Sequence, residues 1–215
     1  MMFDPGVPTF LPLLQSTIEV LAVLAFAVSG ITAALRAGMD FVGVCFVSGV
    51  SAFGGGTLRD LLLDRRPFFW VEQDYLLWLV IGLCFFASLV IKRSQTELTD
   101  KWTQLPDAIG LGLFSALGAQ IALLNGASVI VAILMGVISS TLGGVLRDIL
   151  CNVVPKVFSD HQPYITLAIL GSAIVIGLDF MSVAPWLSLV AAVFTTTVFR
   201  LVVLAFNISI PAWRA

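Results

Sequence analysis

Arg59-Asp60 and Arg147-Asp148 each follow a pair of glycines by three and four residues, Gly55-Gly56 and Gly143-Gly144, in stretches otherwise poor in charge. A charge inside a membrane segment costs at least about 2.5–3.5 kcal/mol on insertion scales, so it faces the bundle interior and finds a partner there. Neighbouring residues on a helix point about 100° apart, which predicts that Arg59 does not pair with Asp60. Cross-pairing of Arg59 with Asp148 and of Arg147 with Asp60 requires the two motifs to meet; otherwise each pair caps a vestibule of its own. The chemistry on offer is a charged gate for small ions or zwitterions. The structural alternative is an ion pair, or an arginine whose stem reaches toward the interface.

The glycines add a second element. Phe53-Gly54-Gly55-Gly56-Thr57 and Thr141-Leu142-Gly143-Gly144 fall inside helical stretches, where each glycine costs roughly 0.8–1 kcal/mol relative to alanine. A kink or break is expected at each. Freed carbonyls would offer partial negative charge to a cation, and the following half-helix partial positive charge. Ser51, Thr57, Ser139, Ser140 and Thr141 place hydroxyl oxygens near the same level. The competing reading is close helix packing, because small residues let backbones approach.

The elements that hold these residues follow from composition. Of 215 residues, 59% are hydrophobic and 11% charged, and the mean hydropathy is +1.05. Soluble domains carry about 25% charge, so this chain belongs in a bilayer. Eleven Lys+Arg are scattered against 13 Asp+Glu, which argues against nucleic-acid binding. The three cysteines, Cys45, Cys84 and Cys151, lie in or beside apolar runs and read as small packing residues. No metal-ligand spacing, P-loop or nucleophile motif is present, so neither an enzyme nor a cofactor is expected. His161, the only histidine, reads as a solvated loop residue.

Charge-free stretches of spanning length, with the Asn125-Gly126 turn dipeptide dividing the longest, predict an all-α membrane protein with seven transmembrane helices at approximately 15–36, 41–64, 75–92, 106–124, 128–151, 163–180 and 185–207. The N-terminus lacks the basic start of a signal peptide, so the first helix is expected to be a retained span. Arg36, Lys92, Arg93, Lys101, Lys156 and Arg214 fall on the side of the C-terminus, against Arg65 and Arg66 on the other. The N-terminus is therefore expected outside and the C-terminus in the cytoplasm. Trp70, Trp102, Trp186 and Trp213 fall near span ends, as an aromatic belt would, and Trp78 does not.

An offset of 88 residues aligns the two halves without a gap. Phe26 meets Phe114, Gly30 meets Gly118, Gly38 meets Gly126, and Ser51, Gly55, Gly56, Arg59, Asp60 and Pro67 meet Ser139, Gly143, Gly144, Arg147, Asp148 and Pro155. Glu19 meets Asp107. These two acids are read as opening the first and fourth helices, where a carboxylate complements the helix dipole. Three helices per unit is an odd number, so the second unit enters from the opposite side, an inverted repeat of the kind found in transport proteins. The chain thus divides into an N-terminal segment (1–14), a first repeat (15–92), a cytoplasmic linker (93–105), a second repeat (106–180), and a seventh helix with tail (181–215). Arg200, in that helix, reads as an arginine reaching toward the cytoplasmic side.

These residues resemble the prokaryotic TRIC family, the trimeric intracellular cation channels, whose bacterial members are also classed as a glycine-transporter-domain family. The similarity spans about residues 15–207 and rests on Gly54-Gly55-Gly56-x-x-Arg59-Asp60 and its echo Gly143-Gly144-x-x-Arg147-Asp148. It implies a homotrimer in a bacterial or archaeal cell membrane, surrounded by lipids, with a pore in each protomer. That pore would conduct monovalent cations, K⁺ foremost and Na⁺ second, past the kinks at Gly54, Gly55, Gly56, Gly143 and Gly144. Leu142 stands where the first motif has Gly54, so the two kinks should differ. Animal members bind phosphoinositide through a lysine motif; neither glycine helix here carries a lysine, and lipid gating is not carried over. A carrier for glycine or another small amino acid remains the alternative, since broken helices and paired charges also suit a zwitterion and no carbonyl-filter signature is present.

Overall fold

The computed structural model describes residues 10–90, 100–159 and 161–209, with backbone only at 100 and 101. The described residues hold nine helices: α1 (Phe10–Arg36), α2 (Phe41–Leu62), α3 (Phe69–Glu72), α4 (Tyr75–Val90), α5 (Asp100–Leu124), α6 (Val129–Leu150), α7 (Lys156–Ser159), α8 (Tyr164–Phe180) and α9 (Pro185–Phe206). The seven long ones stand where the apolar runs predict helices. The four-residue helices α3 and α7 have no such signal; each is one turn following a proline, too short for a periodicity. Five helices, α1, α2, α5 from Trp102, α6 and α9, are long and apolar enough to cross a membrane, whereas α4 and α8, with 16 and 17 residues, are shorter apolar helices.

Two starts differ from expectation. The first helix already runs from Phe10, and α5 from Asp100, so the described part of the expected linker 93–105, residues 100–105, is helical. The start expected at 106 falls inside the helix: Pro106 sits in the second turn of α5, past the first four N–H groups that lack an intrahelical partner. Glu19 and Asp107 consequently do not open their helices. Lys92, Arg93, Trp213 and Arg214 lie outside the described residues, as do the ends of the chain.

Local chemistry fixes the other ends. The first helix stops at Gly38, φ +74°, and α5 at Gly126, φ +76°, where a left-handed residue returns the last N–H groups to the helix: Met39 donates to the Ala34 carbonyl and Ala127 to that of Ala122. Asp40 caps α2, its Oδ1 accepting from the Gly43 N–H at 2.8 Å. Pro185 occupies the first turn of α9, which ends on left-handed Asn207.

Packing repeats the sequence offset. Gln15 Nε2 donates to Gln120 Oε1 at 2.8 Å, and the residues related to this pair by 88, Thr103 and Thr32, bring their hydroxyls to 3.1 Å. Both contacts run α1 antiparallel to α5. Between them the Phe26 ring stacks on that of Phe114, its own counterpart, with centroids 5.7 Å apart. The same reciprocity governs α2 and α6: a Cβ on Gly55 would overlap the Ser139 carbonyl, and one on Gly143 the Ser51 carbonyl. Low-numbered residues of one helix face high-numbered residues of the other, so this crossing is antiparallel too. Outside this core, Trp78, Phe85, Phe86 and Leu89 of α4 and Phe194 and Phe206 of α9 are exposed, as a lipid-facing perimeter would be.

Candidate functional site

The helical run of α2 continues through Gly54, Gly55 and Gly56, and that of α6 through Gly143 and Gly144, without the expected break. The glycines instead make room. A Cβ on Gly56 would strike the ring of Phe69, one on Gly54 would press Leu146, and one on Gly144 would come within 3.2 Å of Asp107 Oδ1. Hydroxyls near the crossing mostly turn back on their own helices: Thr57 to the Phe53 carbonyl at 2.7 Å, Ser140 to Gly136 at 2.8 Å, Thr141 to Val137 at 2.8 Å and Ser139 to Met135. Such back-bonding removes a polar group from the helix surface without water. Ser51 Oγ is buried and has no hydrogen-bond partner among the described residues.

The Arg-Asp pairs are buried, and their partners differ from expectation. Arg59 Nε donates to Asp60 Oδ1 at 2.8 Å and Nη2 to Glu19 Oε1 at 3.1 Å. Arg147 Nε donates to Asp148 Oδ1 at 2.9 Å and Nη1 to Asp107 Oδ1 at 2.7 Å. Sequence neighbours therefore do pair, and no cross-pairing between the halves occurs among these four. The 100° argument applies to the Cα–Cβ vectors; a guanidinium on a three-carbon stem curls back far enough to reach the next side chain.

Each cluster also ties down the chain beyond its helix. Asp60 Oδ2 accepts from the Phe69 N–H at 3.0 Å and Asp148 Oδ2 from the Lys156 N–H at 3.0 Å. These are the first residues of α3 and α7, so each aspartate joins an arginine to the start of a short helix. The arrangement explains why proline recurs at the same distance after each motif: both chains must turn back toward their own aspartate.

The two clusters then diverge. In the first, Phe69 is buried under Arg59, whose guanidinium carbon lies 5.5 Å from the ring centroid. Gln73 Nε2 donates to Glu19 Oε2 at 3.1 Å, and Arg65 approaches Asp60 at 3.8 Å. In the second, the Tyr164 hydroxyl donates to Asp107 Oδ2 at 2.6 Å, and Arg147 Nη1 reaches the Ser29 hydroxyl of α1 at 2.5 Å. Arg200 does not reach for lipid. It is buried, with its guanidinium 4.9 Å from the Tyr164 ring centroid and Nη1 donating to Gln162 at 2.9 Å. The cavity beside this cluster encloses about 10 Å³ and is lined by Asp107, Arg147, Asp148, Tyr164 and Arg200 among others, room for about one water.

Sequence reasoning located both arginines and aspartates and singled out Glu19 and Asp107, but assigned the last two to helix openings. It missed Gln73, Phe69, Tyr164 and Ser29, which have no counterpart of the same type at the 88-residue offset. The cysteines are free, Cys84 buried and the others half-buried. His161 is an exposed loop residue.

Known proteins resemble this chain in sequence and in fold. The glycine transporter family model matches twice, over residues 16–91 and 104–179, a displacement equal to the 88-residue offset. A UPF0126 membrane protein of Vibrio cholerae is 34% identical over 198 residues, covering 91% of this chain and 81% of the relative. The UPF0126 inner membrane protein YadS of Escherichia coli K12 is 33% identical, covering 73% and 75%. Among solved structures, a TRIC trimeric intracellular cation channel orthologue from Rhodobacter sphaeroides superposes with a TM-score of 0.82 at 33% identity, covering 90% of this chain and 98% of that one. A second TRIC cation channel structure gives 0.80 at 30% identity, covering 93% and 97%. The solved relatives are cation channels and the matching family is a transporter family, so this is a membrane transport family rather than an enzyme family. The chain belongs to the prokaryotic TRIC family of membrane proteins.

Proposed function

We propose that the protein is a channel for monovalent cations, K⁺ before Na⁺, with a path inside each protomer of a homotrimer in the bacterial inner membrane. Seven spans form two inverted three-helix units, 15–92 and 106–180, followed by α9, with the N-terminus outside and the C-terminus in the cytoplasm. The reciprocal antiparallel contacts of α1 with α5 and α2 with α6 support the inversion, and the cation channels among the solved relatives support the cargo.

The observation that carries the reading is the pair of buried clusters flanking one crossing. Arg59 and Arg147 each lie six residues past the midpoint of the Gly55–Ser139 and Ser51–Gly143 contacts, about 9 Å along the axis at 1.5 Å per residue. Because the helices are antiparallel, the arginines fall on opposite sides. Both then sit inside an apolar slab about 30 Å thick when the crossing is at its centre. Each cluster has two carboxylates for one buried guanidinium, Glu19 and Asp60 for Arg59 and Asp107 and Asp148 for Arg147. With Arg65 3.8 Å from Asp60 and with Arg200 and Lys156 lining the cavity beside the second cluster, the charges are near balance, so the preference for cations is supported by the solved relatives rather than by net charge. Between the gates, the glycines of α2 and α6 and the unpartnered Ser51 hydroxyl line the narrowest part of the path. With its carboxylates engaged and only a water-sized cavity beside Arg147, this is a closed form.

Purified protein in liposomes tests the proposal. An imposed K⁺ gradient should drive an electrogenic leak of many ions per second. Saturable uptake of labelled glycine independent of K⁺, with no electrogenic leak, would overturn it in favour of a carrier.

A further inference from the structure

The two clusters obey the same repeat, yet among the described residues only the second has a chain of hydrogen-bond and ring contacts that leads to α9. In the first cluster the outer carboxylate oxygen, Glu19 Oε2, is held by Gln73, from the segment between α3 and α4 of the same unit. The equivalent oxygen of Asp107 is held by Tyr164, the first residue of α8. The Tyr164 ring lies under Arg200 of α9, which also holds Gln162. The second matched segment ends at residue 179, before α9 begins. A continuous chain of contacts therefore runs from α9 through Arg200, Tyr164 and Asp107 to Arg147, and on through Asp148 to the start of α7.

We propose that Tyr164 is a latch through which α9 sets the closure of the second cluster. This rests on the channel reading and deepens it. The hydroxyl fixes Asp107 by one oxygen, so the other stays on Arg147. Arg147 is also held by Asp148 and by the Ser29 hydroxyl, and the cavity beside it stays at the size of a single water. Opening requires Asp107 to leave the guanidinium, and the Tyr164 hydrogen bond opposes that movement. A displacement of α9 moves Arg200 off the ring face, frees the ring to turn and releases the carboxylate. Tyr164 is thus a positioning residue: it touches Asp107, not the ion. Among the described residues the first cluster, sealed by Phe69 and Gln73 from its own unit, has no such chain to α9, its Phe69 ring meeting Phe114 of α5 instead, so gating is asymmetric in a symmetric frame.

Single-channel recording of the full chain in planar bilayers separates gating from conduction. Tyr164→Phe keeps the ring beneath Arg200 and removes only the hydroxyl. It should raise open probability about tenfold, as expected for loss of one hydrogen bond to a charged acceptor, with unitary conductance unchanged. Arg200→Gln should raise it in the parent and add little on top of Tyr164→Phe. Ser88→Ala, the control at an exposed α4 residue whose hydroxyl donates to its own helix, should leave it unchanged. An open probability that is unchanged or lowered by Tyr164→Phe, or an altered unitary conductance, overturns the latch.

A readout independent of current keeps the two readings apart. Gln104, half-buried on α5, lines the same small cavity. In a background lacking Cys45, Cys84 and Cys151, Gln104→Cys should react several-fold faster with a water-soluble thiol reagent when Tyr164→Phe is also present. Faster labelling in a protein that carries no K⁺ current would remove the channel reading and keep the latch. Unaltered labelling removes the latch whether or not the protein conducts.

Discussion

Gly55 packs against the backbone carbonyl of Ser139 so closely that no side-chain carbon fits between them, and Gly143 packs the same way against Ser51. Two helices that touch main chain to main chain, in a reciprocal pair, leave only hydrogen as an acceptable side chain at either site.

Gly55→Ala and Gly143→Ala should each destabilise the protein by at least about 1–3 kcal/mol, the usual cost of forcing a group into a packed core, because the obstructing atom is backbone and cannot rotate away. Leucine at either site should prevent assembly altogether. Gly49, on the same helix as Gly55, has no atom within 4 Å of where a Cβ would stand, so Gly49→Ala should gain up to about 1 kcal/mol from helix propensity. Thermal unfolding followed by size-exclusion chromatography in detergent ranks the three. Equal melting temperatures for Gly49→Ala and Gly55→Ala would refute the close crossing.

The charge clusters call for a different expectation. Arg59 is fully buried between Glu19 and Asp60, so Arg59→Gln leaves two carboxylates without their cation. Breaking a buried pair from one side costs about 3–5 kcal/mol. Adding Glu19→Gln removes one of the stranded charges and should recover part of that loss. A double variant no more stable than Arg59→Gln alone would show that Glu19 does not depend on Arg59. Melting temperatures at one detergent concentration suffice for the comparison.

What the sequence made legible follows from which signals are local. Helix positions came from apolar runs interrupted by turn residues such as Asn125-Gly126, and those signals survive without any knowledge of packing. The repeat placed Gly55 opposite Gly143 in the alignment, and it paired Glu19 with Asp107. It could not show that these residues converge on Arg59 and Arg147, because that depends on how α1 and α5 lie against α2 and α6. The helices run unbroken through the glycines for the same reason. Helix propensity measures an exposed helix, whereas here the glycines are covered by a neighbouring backbone that rewards their small size. Tyr164 and Gln73 were invisible because they differ between the halves, and a repeat reveals only what its copies share.

Cys151 follows the end of α6, half-buried beside Arg147 and Asp148. Burial pushes its thiol up from the ordinary value of 9.0, outweighing the pull of Arg147 in the opposite direction. A raised value leaves less thiolate at neutral pH, and the thiolate is the nucleophile. Alkylation at this site should therefore be slower than that of a free cysteine at pH 7 and still be rising with pH where the free thiol has levelled off. Peptide mass spectrometry after timed maleimide labelling gives the rate. A rate equal to that of free cysteine at pH 7 would contradict the burial.

The turn between α5 and α6 supplies a test that is free of packing. Gly126 has φ +76° and open space where a Cβ would stand, so a substitution there feels only the backbone. Left-handed geometry costs an L-residue roughly 1–2 kcal/mol, and asparagine tolerates it better than most. Gly126→Ala should lower stability by about that amount, Gly126→Val by more, and Gly126→Asn by the least of the three. Gly38, φ +74° in the matching turn between α1 and α2 and likewise in open space, should give the same order with similar magnitudes. Unfolding measured for both series would then report on the repeat itself. A large difference between the two turns for the same substitution would mean that they are not equivalent in energy, however well they align in sequence.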